Sequence, residues 1–217
     1  MFQEIFVKVL LPALGYTLSM VIQSTIYAII LGFVPAIILV ITNPKGLHPN
    51  KPIYMVLDFI INILRSFPFL ILMIAIIPVT RFIVGTSIGT AAAIVPLSIG
   101  AAPFATRVIE NALMEVDSGV IEAAKSFGCS TYQIIFKVML KEALPSIVQG
   151  ITLTIISIVG YSAMAGTIGG GGLGDVAMKY GYYRYQTDVM IYTVILLILV
   201  VQLFQSIGNI FYKHLTK

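Results

Sequence analysis

Five long apolar stretches decide what this chain can fold into. They cover roughly residues 16–41, 56–79, 86–106, 146–166 and 188–210. A membrane-spanning helix needs about 20 mostly apolar residues, so each stretch is long enough to cross a bilayer. Charged residues make up only 10% of the chain, whereas a typical soluble domain has about 25%. The sequence therefore predicts an all-α membrane protein with five transmembrane helices in one domain over residues 1–217.

Basic residues between these stretches predict which way the chain runs. Lysine and arginine favour cytoplasmic segments, and five spans place the two termini on opposite sides of the membrane. With the N-terminus outside, the inner segments hold eight basic residues: Lys45, Lys51, Arg107, Lys125, Lys137, Lys141, Lys213 and Lys217. The outer segments then hold four: Lys8, Arg81, Lys179 and Arg184. We therefore expect the N-terminus outside and the C-terminus inside.

Polar residues interrupt the second apolar stretch. Asp58, Asn62 and Arg65 all lie in its first half. They favour a position at the membrane interface, with Arg65 reaching toward water; a wet interior face of a helix bundle is the alternative. Both positions stay open for Arg65.

One long polar segment, residues 107–145, separates the third and fourth stretches and faces the cytoplasm in this topology. Asp117 is suited to cap the start of a short helix, and Gly128 suits the left-handed turn that ends it. Ser130 and Gln133 have the spacing of a capping box, which opens a second helix. The segment is therefore predicted to form two short helices joined at a glycine.

Two roles fit such a helical module. One is an amphipathic loop that rests on the membrane surface. The other is a projection that docks into a cytoplasmic partner through small residues such as Ala123 and Ala124. Residue spacing alone does not choose between them.

A spaced set of residues in this segment adds a family resemblance. The set consists of Glu122, Ala123, Ala124, Gly128, Val138 and Leu140. It resembles the EAA loop of ABC-type importer permeases. The resemblance implies that the loop is a cytoplasmic coupling helix, which sits in a cleft of a separate ATP-hydrolysing subunit. The sequence departs from the family pattern at Lys141, where proline is usual.

Three further blocks extend the resemblance over most of the chain. They are LRSFPFLILMIAIIPVTRFIVGTSIG (64–89), AAIVPLSIGAAPFATRVIENAL (92–113) and VGYSAMAGTIGGGGLGDVAMKYGY (159–182). Together they resemble the methionine-importer permeases. That likeness implies a subunit of the bacterial inner membrane that works as two copies with two ATPase subunits. It also implies an external substrate-binding lipoprotein and methionine as the substrate.

Other function classes find little support in the sequence. No Asp, Glu or His lies in the middle of a predicted span, as a proton- or sodium-driven carrier usually needs. His48 and His214 are the only histidines, and no metalloprotease or nucleophile motif is present. We therefore expect a transport subunit, not an enzyme, with no cofactor, metal or nucleic acid. The alternatives are a permease for another amino acid or small solute, and an ATP-independent secondary carrier.

The glycine-rich run TIGGGGLGD, residues 167–175, has the G-x-G-x-x-G spacing of dinucleotide-binding folds at Gly169, Gly171 and Gly174. It follows the fourth span on the outer side, with no strand before it, so nucleotide binding is not expected. The glycines fit a mobile or partner-facing outer loop, or simply a tight turn. Tyr182 follows among aromatic and basic residues, which fit a membrane interface or docking of a binding protein.

The fourth span also carries candidate residues for the transport path. Ser157, Tyr161 and Met164 share one helix face at spacings of four and three, and Ser162 lies next to them. We predict that these residues line the passage between two copies of the chain, with flexible Met164 as an apolar constriction. Ordinary helix packing is the alternative.

Overall fold

The computed structural model describes residues 5–216, so Lys217, one of the basic residues counted above, lies outside the described residues. Ten helices follow one another along the described chain: α1 (Phe6–Thr42), α2 (Lys51–Ser66), α3 (Phe69–Ala75), α4 (Ile77–Val84), α5 (Thr90–Met114), α6 (Ser118–Ser126), α7 (131–142), α8 (Leu144–Thr167), α9 (172–182) and α10 (Thr187–Leu215). Residues 5–216 contain no β-strand. The all-α prediction is confirmed.

Four of these helices are long and apolar enough to cross a membrane: α1, α5, α8 and α10. A fifth span exists if α2 and α3 count as one broken span, because the two helices pass the same test only together. The fold thus has four to five candidate membrane helices, in agreement with the five that the sequence predicts.

The second predicted span, 56–79, is not one straight helix. α2 and α3 meet at an angle of 100°. Phe67 at the break is extended, with φ −69° and ψ 127°, because the ring of the following proline disfavours helical backbone in the residue before it. Pro68 also has no N–H to continue the hydrogen-bond ladder of α2. The apolar pattern runs through this Phe-Pro pair and therefore hides the bend.

α1 packs along α5, and α8 packs against α5 and α10. The first of these contacts is close at Gly32, where an added Cβ would lie 2.8 Å from the carbonyl oxygen of Ala102 and 2.9 Å from the amide nitrogen of Thr106. Small residues of this kind let membrane helices approach where lipid offers no hydrophobic drive. The centre of the bundle is filled by buried side chains such as Met20, Leu97 and Ile158.

A second apolar cluster holds the short helices α6 and α7 to one end of the bundle. Ala124 of α6, with Ile134, Ile135 and Met139 of α7, packs against buried residues of α1 and α5 such as Leu113. The polar segment is therefore anchored by its own core and does not hang from the spans as a free loop.

The last helix leaves most of its apolar surface uncovered by the chain itself. Only 11% of the apolar window of α10 is buried, against 61% for α5. Exposed large side chains on α10 include Leu199, Leu203 and Ile210. This surface is available to lipid or to another protein chain.

Candidate functional site

The α6–α7 module has the capping structure that its sequence predicts. The Asp117 carboxylate accepts hydrogen bonds from the amides of Gly119 at 2.7 Å and Val120 at 3.3 Å, at the start of α6. At α7, the Ser130 hydroxyl accepts from the Gln133 amide, and the Gln133 side chain accepts from the Ser130 amide. Both caps satisfy amides that the first turn of a helix leaves without partners.

Gly128 ends α6 in the left-handed conformation, with φ +75°. The amide of Gly128 donates to Lys125 at 2.9 Å, and the amide of Cys129 donates back to the carbonyl of Ala124 at 3.1 Å. This arrangement satisfies carbonyls at the end of the helix and reverses the chain toward α7. The prediction of a glycine turn at this position is confirmed.

The α6 residues that carry the family resemblance differ in exposure. Ala124 is buried in the cluster that α6 shares with α7, whereas Glu122 and Ala123 are exposed. Next to the turn, Phe127 is 87% exposed. A single exposed ring is ordinary by itself, but Phe127 lies at the end of the same short, well-capped helix as the exposed Glu122 and Ala123, which makes it a candidate contact residue. Leu140, on α7, is half-buried.

Sequence reasoning missed Phe127 as a candidate contact residue. The signal was an aromatic residue at the end of a short polar helix, where a soluble surface normally has a polar side chain. We call the exposed residues Glu122, Ala123 and Phe127 the α6 surface.

A charge network, buried at Glu110 and partly exposed at α2, joins α2 to the C-terminal end of α5. Arg107 donates to the Glu110 carboxylate at 2.7 Å and to the Asn62 side-chain oxygen at 3.0 Å, and it forms an ion pair with Asp58. Glu110 is only 4% exposed. Asn62 in turn donates to Asp58 at 3.1 Å. A buried carboxylate needs such partners, because an unpaired charge there is strongly disfavoured.

The sequence places Arg107 and Glu110 in the polar segment, whereas α5 in fact continues to Met114. The i,i+3 spacing of these two residues was the available signal. The network lies on the helix that leads, after three residues, into α6. The network therefore holds α5, which leads into α6, against α2, which ends at the 100° bend.

The glycine-rich run folds back into the bundle as a tight turn. Gly169 and Gly171 have φ of +91° and +78°, which side chains rarely adopt. The Gly169 carbonyl accepts from the Gly89 amide at 2.9 Å. Gly174 is buried, and a Cβ there would overlap the backbone of Ala163. The geometry agrees with the tight-turn interpretation, while a partner-facing role of these glycines stays a prediction.

Three of the predicted path residues share one side of α8. Ser157 and Tyr161 are half-buried and Met164 is 45% exposed. The Tyr161 ring stacks on Phe69 of α3 with a centroid distance of 4.3 Å. Ser162 lies elsewhere: it is 2% exposed, and its hydroxyl donates to the Val159 carbonyl at 2.7 Å. Consecutive helix positions differ by about 100°, so Ser162 points into the core.

Tyr182 belongs to an exposed aromatic group at the end of α9. It is 59% exposed and packs edge-to-face against Tyr183 at 5.3 Å. The guanidinium of Arg184 lies 4.6 Å from the centre of the Tyr180 ring, which is a cation–π contact. The aromatic and basic residues that the sequence singles out thus form one surface cluster.

Residues 28–217 match the family described as "Binding-protein-dependent transport system inner membrane component". The chain belongs to this family. Its family description, together with the apolar helices, makes it a multi-pass membrane protein and a transport component, as the sequence predicts. The family description names a transport system component and no chemical reaction.

Named relatives within the family narrow the comparison. The chain is 54% identical over 200 residues to the probable D-methionine transport system permease protein MetI of Vibrio cholerae, which covers 92% of this chain and 89% of the relative. It is 45% identical over 173 residues to the methionine import system permease protein MetP of Bacillus subtilis, covering 80% and 78% of the two chains.

A solved structure is similar over nearly the whole chain. A chain in a native crystal form of the MetNI methionine ABC transporter, described as inward facing, superposes with a TM-score of 0.96. The two chains are 43% identical, and the match covers 99% of each. The likeness therefore includes the α6–α7 module as well as the membrane helices.

Proposed function

We propose that this chain is the permease subunit of an ATP-driven importer of methionine. The observation that carries the proposal is the likeness over 99% of the chain to a methionine ABC transporter chain, with the exposed α6 surface included. Two copies of the chain form the translocation path and are moved by two separate ATPase subunits. An external substrate-binding lipoprotein delivers the substrate.

The α6 surface is the proposed contact with the ATPase. The side chains of Glu122, Ala123 and Phe127 are exposed. Ala124 packs in the apolar cluster that anchors α6, and Gly128 forms the turn that ends the helix. Leu140 belongs to the supporting helix α7. In the proposed orientation the N-terminus is outside and the C-terminus inside, so α6 lies in the cytoplasm, where ATP is available. Gly169 and Gly171, at the partly exposed part of the glycine turn, and the Tyr182 cluster then lie on the outer side, where the binding protein docks.

The proposed mechanism follows from this attachment. ATP binding brings the two ATPase subunits together and draws the paired α6 helices inward, which rocks each bundle toward an outward-open state. Hydrolysis restores the inward-facing state. ATP can shift this equilibrium only by its difference in affinity for the two states, so the link between α6 and the bundle must be rigid. The apolar cluster around Ala124 and the network of Arg107 supply that rigidity.

Purification and uptake together test the proposed function. The complex is isolated from membranes through an affinity tag on this chain, and labelled methionine uptake is then measured with unlabelled competitors. We expect the ATPase subunit to copurify and methionine to compete at least as well as any other amino acid. Competition by another amino acid with no effect of methionine would favour a permease for that solute.

Met164 is the proposed gate, and crosslinking tests it. Cys129 is the only native cysteine, so Cys129→Ser gives a background in which Met164→Cys reports on one position. Because Met164 lies exposed on the proposed path face, we expect its cysteines to crosslink between two copies in one nucleotide state and to separate in another. Ile30→Cys, at a site on α1 that is 59% exposed, is the control and is expected not to crosslink. If Met164→Cys forms no crosslink between copies in any nucleotide state, Met164 is not the gate.

A further inference from the structure

A cavity of about 220 Å³ opens where α2 bends into α3, between these helices, α5 and α8. Arg65 lines it as the last-turn cation of α2. The other lining residues include four aromatic rings: Phe67, Phe69, Phe104 and Tyr161. Tyr161 also belongs to the proposed path face of α8, so the cavity adjoins the path.

Arg65 differs from Arg107 in having no ion pair and no hydrogen bond with any side chain or backbone group of residues 5–216. It lies about 21 Å along α2 from Lys51, at a rise of about 1.5 Å per residue. A cation this far along a membrane helix is disfavoured unless it faces a wet cavity or a ligand, and such residues mark substrate pathways. Arg65 is exposed and lines the cavity, which therefore offers such a space beside its side chain.

The guanidinium and the aromatic rings that line the cavity suit a ligand with a carboxylate and an apolar side chain. A guanidinium presents a planar fork that binds a carboxylate through two parallel hydrogen bonds. Aromatic rings accept apolar side chains, and a thioether sulfur makes additional favourable contacts with ring edges. An apolar cavity of about 150 Å³ holds benzene; the larger cavity beside Arg65 has room for a small amino acid.

We propose that this cavity is a substrate site within the permease, which binds an α-amino acid by its carboxylate at Arg65. The side chain of the amino acid lies among Phe67, Phe69 and Tyr161, and a thioether side chain fits better than a hydrocarbon one. The proposal rests on the proposed function, since it names a stopping point for methionine on the path.

Direct binding to the permease–ATPase complex, with no binding protein present, tests this site. We expect labelled methionine to bind saturably in nanodiscs. Arg65→Gln should weaken the binding about tenfold or more, because a hydrogen bond to a charged group is lost. Arg65→Lys keeps the charge but lacks the planar fork of donors, so its affinity for methionine should fall between those of the wild type and Arg65→Gln. Arg81→Gln is the matched control, because Arg81 is exposed and bonds to Ser87 outside the cavity.

Competing ligands separate the parts of the proposed site. Methionine should displace the label more strongly than norleucine, and methioninamide, which lacks the carboxylate, should displace it least. In Arg65→Gln the difference between methionine and methioninamide should disappear. Equal binding in Arg65→Gln and wild type overturns the site. An Arg65→Gln variant that binds methionine normally and loses only binding to anionic lipid vesicles overturns the site as well, because Arg65 would then contact lipid headgroups.

The same preparation distinguishes failure of the site from failure of the proposed function. ATP-dependent methionine uptake by the wild-type complex with its binding protein is measured in parallel. Normal uptake with methionine binding that is independent of Arg65 rejects the site and leaves the function standing. Absence of ATP-dependent uptake in the wild type rejects the function itself.

Discussion

Arg107→Leu is expected to lower the free energy of unfolding by about 3–5 kcal/mol, the usual effect of removing one partner from a buried ion pair. Arg107 is the cation that contacts both Glu110 and Asp58, and the Glu110 side chain is only 5% exposed. Without Arg107, the Glu110 charge stays buried without its partner, and α2 loses its polar link to α5. The measurement is the thermal midpoint of the purified complex in detergent, together with the amount of folded chain recovered from membranes.

Removing the whole set of charges should reverse most of this loss. Replacing buried charges together by apolar groups is often neutral or even stabilising, since no charge is left unpaired. Arg107→Leu combined with Glu110→Leu and Asp58→Asn is therefore expected to be more stable than Arg107→Leu alone. Lys137→Leu is the control for loss of an exposed cation and should change stability by less than about 0.5 kcal/mol. If Arg107→Leu alone is as stable as the wild type, the network does not have this role.

Gly128→Val is expected to separate ATP hydrolysis from uptake. At φ +75° a side chain with a branched Cβ is strained, although no atom lies within 4 Å of the added carbon. The effect is therefore one of backbone conformation: an L-residue in this region costs about 1–2 kcal/mol, and more if β-branched. We expect the turn after α6 to open and uptake per ATP hydrolysed to fall about tenfold, with membrane insertion intact. Both rates are measured in proteoliposomes.

Gly128→Asn is the matched variant for this prediction. Asparagine visits the left-handed region far more readily than other residues with a side chain, so the turn should persist and most coupling with it. Equal loss of uptake in the asparagine and valine variants would mean that side-chain size, not backbone conformation, matters at position 128. Normal uptake by Gly128→Val would refute the assignment of α6 as the coupling element.

The sequence predicted best those features that depend on neighbouring residues. Asp117, Ser130 and Gly128 act through hydrogen bonds that span at most five positions, and all three lie as predicted. Apolar length likewise predicted five spans, which agrees with the four to five candidates in the fold, since the bilayer sets the length of a spanning helix.

Features that depend on tertiary packing were not predictable in the same way. Arg107 and Asp58 are 49 positions apart, and only the packing of α2 on α5 brings them together. Helical spacing placed Ser157, Tyr161 and Met164 on one face, but it gave no reason to exclude Ser162, because the direction of the core depends on neighbouring helices. The bend at Phe67 was masked for a related reason: apolar residues continue on both sides of it.

In the proposed function, this chain transports only when a separate ATPase moves it through α6. Methionine uptake into proteoliposomes tests this most directly, with the chain alone, with the ATPase subunit, and with both ATPase and binding protein. We expect accumulation against a gradient only in the complete system and only with hydrolysable ATP. Accumulation by the chain alone, driven by a proton or sodium gradient, would contradict it.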